Sequence, residues 1–173
     1  VNYLHVEAQS AFLEHTTYQC AERASAFSKI ALMKGMQEND REEISRIIGE
    51  MSEAPSIDAI RIYDKLGMIR YSSFPQETGR IVDMQADACT MCHGEATEFT
   101  QTSSDQFVRI YDSPYGHRTL GLITPISNRP TCSGAPCHAH EESQTVLGVL
   151  DVQMSLEEID AQVSTMQGII LIT

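Results

Sequence analysis

The sequence lacks any excess of basic side chains. Among its 173 residues, 24 Asp and Glu stand against 12 Lys and Arg, which gives a formal net charge of -12. A protein of this charge repels the phosphates of nucleic acids and the headgroups of anionic lipids. We therefore expect no nucleic-acid partner.

A long apolar run is also missing. The apolar end of the chain, residues 168–173, is far shorter than the roughly 20 residues that a transmembrane helix needs. The start has neither an initiator Met nor the basic and apolar segments of a secretory signal. We expect a targeting segment and flanking transmembrane helices outside these residues, with the apolar end as the first turn of one such helix.

The composition itself is that of an ordinary globular protein. Apolar residues make up 42% and charged residues 21% of the chain, which excludes both a disordered segment and a small disulfide-held domain. A chain of this length forms one domain. A first helix is predicted over residues 2–34, with Gly35 as its cap, and a second from Asn39 to before Pro55, with Glu42 completing a capping box.

Five runs rich in β-branched and aromatic residues predict strands. They cover residues 57–63, 68–73, 107–111, 119–126 and 145–154. Ser155 then begins a last helix. We expect a single α+β domain over residues 1–173 with an antiparallel five-stranded sheet. Residues 1–54 are its helical part, residues 55–154 its sheet with two inserts, and residues 155–173 its C-terminal helix.

The first insert contains a CxxCH motif, Cys89-Thr90-Met91-Cys92-His93. Two thiols at this spacing add across the vinyl groups of one haem, and the adjacent histidine binds the iron. We predict covalent attachment of haem c at Cys89 and Cys92, with His93 as the proximal ligand.

The second insert carries a longer variant, Cys132-Ser133-Gly134-Ala135-Pro136-Cys137-His138. Its Gly and Pro let the loop bulge while the last two residues stay together. We predict a second covalent haem c at Cys132 and Cys137, with His138 as the proximal ligand. A zinc site of four thiolates is the alternative, but zinc would not need a histidine after each second cysteine. Disulfides would leave both histidines unexplained.

Each haem iron has a second axial position. His140 is too close to His138 to reach the far side of the same iron, so we expect it to bind the iron of the other haem. His15 lies on a face of small and apolar residues that could contact a porphyrin, although a half-exposed histidine without a ligand role is as common. We predict at least one distal ligand from His140 and His15. The other candidates are His5, His117, Met51, Met84 and Met91.

Heptad-like apolar spacing in both terminal helices suggests a homodimer. The residues in the first helix are Leu13, Thr17, Cys20, Ala24, Phe27 and Ala31. Those in the last helix are Leu156, Ile159, Val163, Met166 and Ile170. Packing on the domain's own sheet is the alternative. We expect the fifth cysteine, Cys20, to be buried rather than reactive.

These residues resemble a known family, the extracytoplasmic haem c sensor domains of bacterial histidine kinases and methyl-accepting chemotaxis receptors. The resemblance covers nearly the whole chain. It rests on the order of helices and strands, on residues 67–73 leading to the first cluster, and on residues 137–140 leading to residues 146–152. It implies a PAS-like or Cache-like fold. It also implies a domain that lies in the periplasm and is anchored to the membrane by transmembrane helices. The second cluster departs from the many members that carry a single CxxCH.

Our leading hypothesis is a dihaem c-type sensory domain that responds to redox state or to a small gas and signals through its terminal helices. We expect no enzymatic activity, because no acid-base constellation is recognisable. The alternative is a small periplasmic dihaem cytochrome c for electron transfer, since the haem chemistry would be identical. Membrane spans and a kinase or receptor output beside the domain favour the sensor.

Overall fold

The computed structural model describes residues 2–83, 100–101, 107–133, 141 and 143–170. It confirms the predicted α+β architecture. The helices are α1 (Asn2–Glu38), α2 (Arg41–Ser52), α3 (Pro130–Ser133) and α4 (Glu157–Ile170). The strands are β1 (Ile57–Asp64), β2 (Ile69–Ser72), β3 (Thr100–Gln101), β4 (Phe107–Asp112), β5 (Arg118–Ser127) and β6 (Val146–Ser155). A 3-10 turn, Pro75–Glu77, follows β2.

The strands form one antiparallel sheet in the order β2-β1-β6-β5-β4-β3. The five predicted strands are all present, with bounds close to those expected. The two-residue edge strand β3 was not predicted, because two polar residues carry no alternating pattern that would reveal a strand. The last strand in the chain, β6, lies in the middle of the sheet between β1 and β5, so the sheet joins the two halves of the chain.

Helices α1 and α2 cover one face of the sheet. Every second residue of the central strands turns an apolar side chain toward them, as expected of a sheet with one face in the core. The resulting hydrophobic cluster contains Ala21, Leu32, Ile44, Ile48, Ile60, Ile62, Leu120, Leu122, Leu150, Val152, Met154 and Leu156. A buried hydrogen bond of 2.6 Å between the hydroxyls of Ser25 and Thr124 also joins α1 to β5.

The end of α1 differs from the prediction. Gly35 lies inside the helix rather than capping it, and it is required there because α2 passes close by. A Cβ atom at Gly35 would lie 2.8 Å from Cγ1 of Ile44. The turn comes at Asn39, which has a φ of 52°. The N-cap of α2 is therefore Asp40, whose carboxylate accepts a hydrogen bond of 3.0 Å from the N–H of Glu43.

Both inserts leave the sheet at one end, which we call the insert end. Here β1 and β5 finish and β6 begins. The N–H of Val82, which precedes the first insert, donates to the carbonyl of Gly67 in the β1–β2 turn (2.9 Å). The second insert leaves the sheet after β5 and includes α3. Two strand pairs mark this end: Asp64 with Gly148, and Ser127 with Val146.

The opposite end of the sheet, the hairpin end, holds the β4–β5 turn and the start of α4. The backbone N–H of Leu156 donates to the carbonyl of Arg118 (2.9 Å). The hydroxyl of Ser155 accepts a hydrogen bond from the N–H of Glu157 (3.2 Å), which confirms the predicted serine cap. Leu156 is buried and Ile159 packs against the hydrophobic cluster, so the first turn of α4 faces its own domain.

The outer face of α1 carries apolar side chains. Phe12, Phe27 and Ile30 are 67–70% exposed. Cys20 is exposed as well, so the prediction that it is buried is wrong. The buried face of the helix passes instead through Ala21, Ser25, Ser28 and Leu32. Within the described residues, no helix is both long enough and apolar enough to cross a membrane.

Candidate functional site

A cavity of about 320 Å³ opens at the insert end, between α1 and the ends of the strands. Its walls come from α1, α2, α3 and strands β1, β2, β5 and β6. Six of its lining residues are Met33, Met36, Ile62, Ile126, Arg129 and Cys132. A cavity of this size, with apolar walls and a few polar groups, is typical of a binding site for a small organic group.

Cys132 is the one predicted haem-attachment residue that falls within the described residues. It is a half-buried free cysteine in α3, the single turn after β5. Its N–H donates to the carbonyl of Arg129 (2.7 Å). The N–H of Asn128 donates to the carbonyl of Thr145 (2.8 Å), directly before β6. Backbone hydrogen bonds therefore hold this cysteine at the cavity wall.

The opposite wall is formed by the C-terminal part of α1. Met33 and Met36 lie three residues apart and so share a face of the helix. Both are half-buried and line the cavity. Met36 also packs against the hydrophobic cluster, whereas Met33 is not among the described side chains that do so. The thioether of Met33 is thus the less constrained of the two.

Three basic side chains also line the cavity: Lys29, Arg70 and Arg129. Nζ of Lys29 donates to the carbonyl of Pro125 (2.7 Å), and Nη1 of Arg70 lies 3.8 Å from Oδ2 of Asp64. Arg129 is exposed and forms no ion pair with any residue that the structure describes. In a protein of net charge -12, this grouping favours an anionic group at the cavity.

The sheet face opposite the helices carries a buried polar cluster. Oδ2 of the fully buried Asp151 accepts a hydrogen bond from Nε2 of Gln153 (2.8 Å). The hydroxyl of Tyr63 and Nη2 of Arg109 approach the same oxygen at 3.4 and 3.5 Å. Burial, and then the charge of Asp151, raise the pKa of Tyr63. The phenol therefore keeps its proton at neutral pH and acts as a hydrogen-bond donor.

A two-point ion pair lies beside this cluster. Nε and Nη2 of Arg61 contact the two carboxylate oxygens of Glu77 at 2.6 and 2.9 Å, and the hydroxyl of Ser72 donates to one of them (2.8 Å). The hydrogen bonds from Arg61 hold the pKa of Glu77 below its usual value. Burial is the largest single influence on Arg61 and lowers its pKa. The hydrogen bond to Glu77, together with the charges of Tyr63, Glu77 and Asp151, nevertheless leaves the pKa of Arg61 raised.

The other predicted haem residues lie outside the described residues. They are Cys89, Cys92, His93, Cys137, His138 and His140. The alternative ligands Met84 and Met91 lie outside the described residues as well. What the sequence predicts for them stays a prediction. In the described part of the chain, no three His, Cys, Asp or Glu side chains are grouped as a metal site.

The structure does not bring His15 together with Cys132. His15 is exposed on α1, where its Nε2 lies 3.1 Å from Nε2 of Gln19. The neighbouring Glu14 accepts a hydrogen bond from Arg118 at the hairpin end (3.1 Å). His15 and Cys132 therefore lie toward opposite ends of the sheet. A ligand role of His15 would concern the haem that is predicted at Cys89 and Cys92.

His117 and Met51 have structural partners. Nε2 of His117 lies 3.0 Å from both carboxylate oxygens of Asp58, and the hydroxyl of Thr119 donates to the same carboxylate (2.7 Å). Met51 packs against the hydrophobic cluster. The third alternative, His5, lies in the first turns of α1.

Sequence reasoning missed Met33 and Arg129 as site residues, and it missed the Asp151 cluster. Met33 resembles any other methionine on a long helix, and Arg129 stands alone in a loop. The Asp151 cluster had one visible signal, two polar residues at alternate positions, Asp151 and Gln153, within the largely apolar run of β6.

No protein-family model and no curated protein matches the chain significantly. Several solved structures are similar to it in fold, including three sensor or receptor domains. The sensor domain of the histidine kinase DctB from V. cholerae has a TM-score of 0.57 and 15% identity, over 92% of this chain and 57% of that one. The E. coli DcuS sensor domain has a TM-score of 0.50 and 15% identity, over 83% and 94%. An extracellular ligand binding receptor from Desulfohalobium retbaense DSM5692 has a TM-score of 0.55 and 12% identity, over 90% and 25%.

These similarities show the fold. The chain has the Cache-like or PAS-like fold of sensor domains, as the sequence resemblance implied. It spans a quarter of the length of the Desulfohalobium receptor and little more than half of the DctB domain. It corresponds in length to the DcuS domain.

Proposed function

We propose that this chain is a dihaem c-type sensory domain of a transmembrane signalling receptor, located outside the cytoplasm, that responds to redox state or to a small gas. The observation that carries the proposal is the position of Cys132. A cysteine of a predicted haem-attachment cluster lies half-buried on the wall of a largely apolar cavity, in a domain whose fold is that of sensor domains. No enzymatic step is proposed.

The residues at the cavity fit a haem. Porphyrin faces are apolar and pack well against Met and Ile side chains, which line this cavity. The two propionates of a haem are anionic and suit the three basic residues at the same cavity. In the proposal, Cys132 and Cys137 hold one haem and Cys89 and Cys92 the other. Bound haem supplies an iron whose redox state and axial ligands can change.

The axial ligands follow the sequence prediction. His93 and His138 are the proposed proximal ligands, and His140 and His15 are the proposed sources of a distal ligand. Replacement of His140 by Ala is expected to convert one haem to a high-spin spectrum. If neither His140→Ala nor His15→Ala changes the spectrum of either haem, this distal assignment is wrong.

Two features of the fold support proximity of the haems and a route for the signal. Both inserts leave the sheet at the insert end, so the haems they carry are expected to lie close together. Strand β6 begins beside the second insert, crosses the middle of the sheet, and passes through the Ser155 cap into α4. A displacement at the second haem therefore acts on a strand that is continuous with the terminal helix.

A small periplasmic dihaem electron carrier is the alternative. It would use the same haem residues, but it would not need α4 to change position with the state of the iron. A gene that encodes membrane spans and a kinase or chemotaxis output beside this domain favours the sensor. Oxidised and reduced forms with identical positions of α4 favour the carrier.

Mass spectrometry of the denatured protein tests the proposal, after expression in a host that attaches haem c. Thioether bonds survive unfolding, so the expected mass includes two haems. The paired variant Cys132→Ala/Cys137→Ala is expected to lose one of them. Cys20→Ala is the matched control, because Cys20 lies outside both clusters, and it is expected to keep two. A wild-type protein that carries no haem after such expression, or none at Cys132 and Cys137, overturns the proposal.

A further inference from the structure

We propose that the thioether of Met33 is the distal iron ligand of the haem attached at Cys132, and that the cavity between α1 and the insert end is the site of that haem. This inference rests on the proposed function and deepens it. It assigns the second axial ligand of the haem whose proximal ligand is His138. His140 cannot supply that ligand, since the two histidines are too close in sequence to bind opposite faces of one iron.

The geometry points to Met33 because it and Cys132 line one cavity from two different elements. Cys132 belongs to α3 and Met33 belongs to α1. A haem held at Cys132 in this cavity would have Met33 of α1 within the same set of lining residues. A methionine thioether opposite a histidine is an established ligand pair for c-type haem iron.

Two methionines of α1 line the cavity, and packing distinguishes them. Met36 is already engaged with the hydrophobic cluster, and turning its side chain toward an iron would cost those contacts. Met33 is not among the described residues that pack there, so its flexible side chain can turn into the cavity at lower cost. This difference makes Met36 a matched control for Met33.

The charges at the cavity suit the same occupant. Arg129 lies three residues before Cys132, lines the cavity, and forms no ion pair within the described residues. Lys29 lies four residues before Met33 on α1, one helical turn away, and also lines the cavity. Basic side chains on the α1 side and beside α3 would therefore be available to pair with the propionates of a haem in this cavity.

His15 does not compete for this site. It precedes Met33 by 18 positions on the same continuous helix, which is about 27 Å along the helix axis. The turn around His15 contacts the hairpin end through Glu14 and Arg118. His15 therefore lies too far along α1 to be the distal ligand of the haem at Cys132.

The test compares Met33→Leu with Met36→Leu, each as the holoprotein with both haems. The Leu side chain keeps the size and apolar character of Met but cannot bind iron. The wild-type protein is expected to show the far-red absorption band and the strongly shifted methionine methyl proton signal of iron-thioether ligation. Met33→Leu is expected to abolish both and to lower the reduction potential of one haem. Met36→Leu is expected to keep both signals.

The haem content of each variant is measured in parallel by mass spectrometry of the unfolded chain. A wild-type protein that carries haem at Cys132 but lacks the thioether signals overturns the Met33 assignment and leaves the proposed function standing. Signals that Met36→Leu abolishes and Met33→Leu keeps also overturn it. A chain without haem at Cys132 overturns both proposals together, so the two failures are distinguishable.

Discussion

An ion pair between Arg118 and Asp160 connects the C-terminal helix to the β4–β5 hairpin. Nη2 of Arg118 lies 2.5 Å from Oδ1 of Asp160 in α4, and the same nitrogen lies 3.1 Å from Oε1 of Glu14 in α1. The hydrogen bonds that Arg118 donates to Asp160 are the main cause of the raised pKa of Arg118. One guanidinium thus joins the two helices that would carry a signal out of the domain.

Replacement of Arg118 by Gln is expected to increase the local opening of α4 while it lowers the overall stability of the fold only slightly. The side chains in both pairs are more than one-third exposed, so we expect a loss of about 1 kcal/mol in the free energy of unfolding. Hydrogen exchange of the α4 amides should accelerate. Arg46→Gln is the control, because Arg46 pairs only within α2 in the described structure. Equal exchange in the two variants would contradict this role of Arg118.

Movement of α4 can be detected by cross-linking. Val163 is half-buried on α4, beyond the first turn that packs against the core. A single cysteine at Val163, in a full-length membrane-bound receptor with Cys20→Ser, is expected to cross-link at different rates in the oxidised, reduced and gas-bound states. A ligand that changes the state of the domain must make different contacts in the two states. Equal rates in all three states would favour the electron-carrier alternative.

Gly35 is expected to be intolerant of a methyl group. The new Cβ of Gly35→Ala would press on the buried Ile44, at a cost of about 1–3 kcal/mol. The helix propensity gained is only about 1 kcal/mol, so the free energy of unfolding should fall by roughly 1 kcal/mol. Gly49→Ala in α2, where nothing lies within 4 Å of the new atom, is the control and should be neutral or stabilising. Urea unfolding measures both.

The Arg61–Glu77 pair predicts a dependence of stability on pH. The pKa of Glu77 is lowered in the folded protein from its ordinary value of 4.5. The pair therefore stabilises the fold above pH 4.5, and this contribution is lost as the pH falls through the lowered pKa. Glu77→Gln should reduce stability at pH 7 and make the decline below pH 4.5 shallower. The exposed Glu53 forms no ion pair among the described residues and supplies the control, Glu53→Gln, which should leave stability at pH 7 close to that of the wild type.

Asp151 is expected to be among the most sensitive positions in the sheet. It is fully buried in the central strand β6 and lies 3.5 Å from Nη2 of the buried Arg109. Asp151→Ala would leave that guanidinium without its carboxylate, which costs about 3–5 kcal/mol in such pairs. Asp151→Asn keeps the shape and an acceptor oxygen and should cost less. Thermal unfolding of the two variants measures the difference, and equal losses would argue against a role for the charge.

Several elements could be predicted because their signals are local. The alternation in β1 and β5, the serine cap of α4 and the glycine in the β1–β2 turn each involve residues that are neighbours along the chain. Where the prediction was wrong, a distant contact decided the outcome. Gly35 was expected to end α1 because glycine often does, but in the structure it makes room for Ile44 of the next helix.

The sequence by itself determined the α+β class, the order of the strands along the chain and the spacing of the two cysteine clusters, because caps, alternation and CxxCH spacing are properties of adjacent residues. Only the tertiary structure decided that Met33 of α1 and Cys132 of α3 line one cavity, and that Arg118 joins α1 to α4. These relationships depend on the placement of β6 between β1 and β5 and on the close approach of α1 to the sheet. No local spacing encodes that arrangement, since it arises from the burial of apolar side chains that lie far apart in the chain.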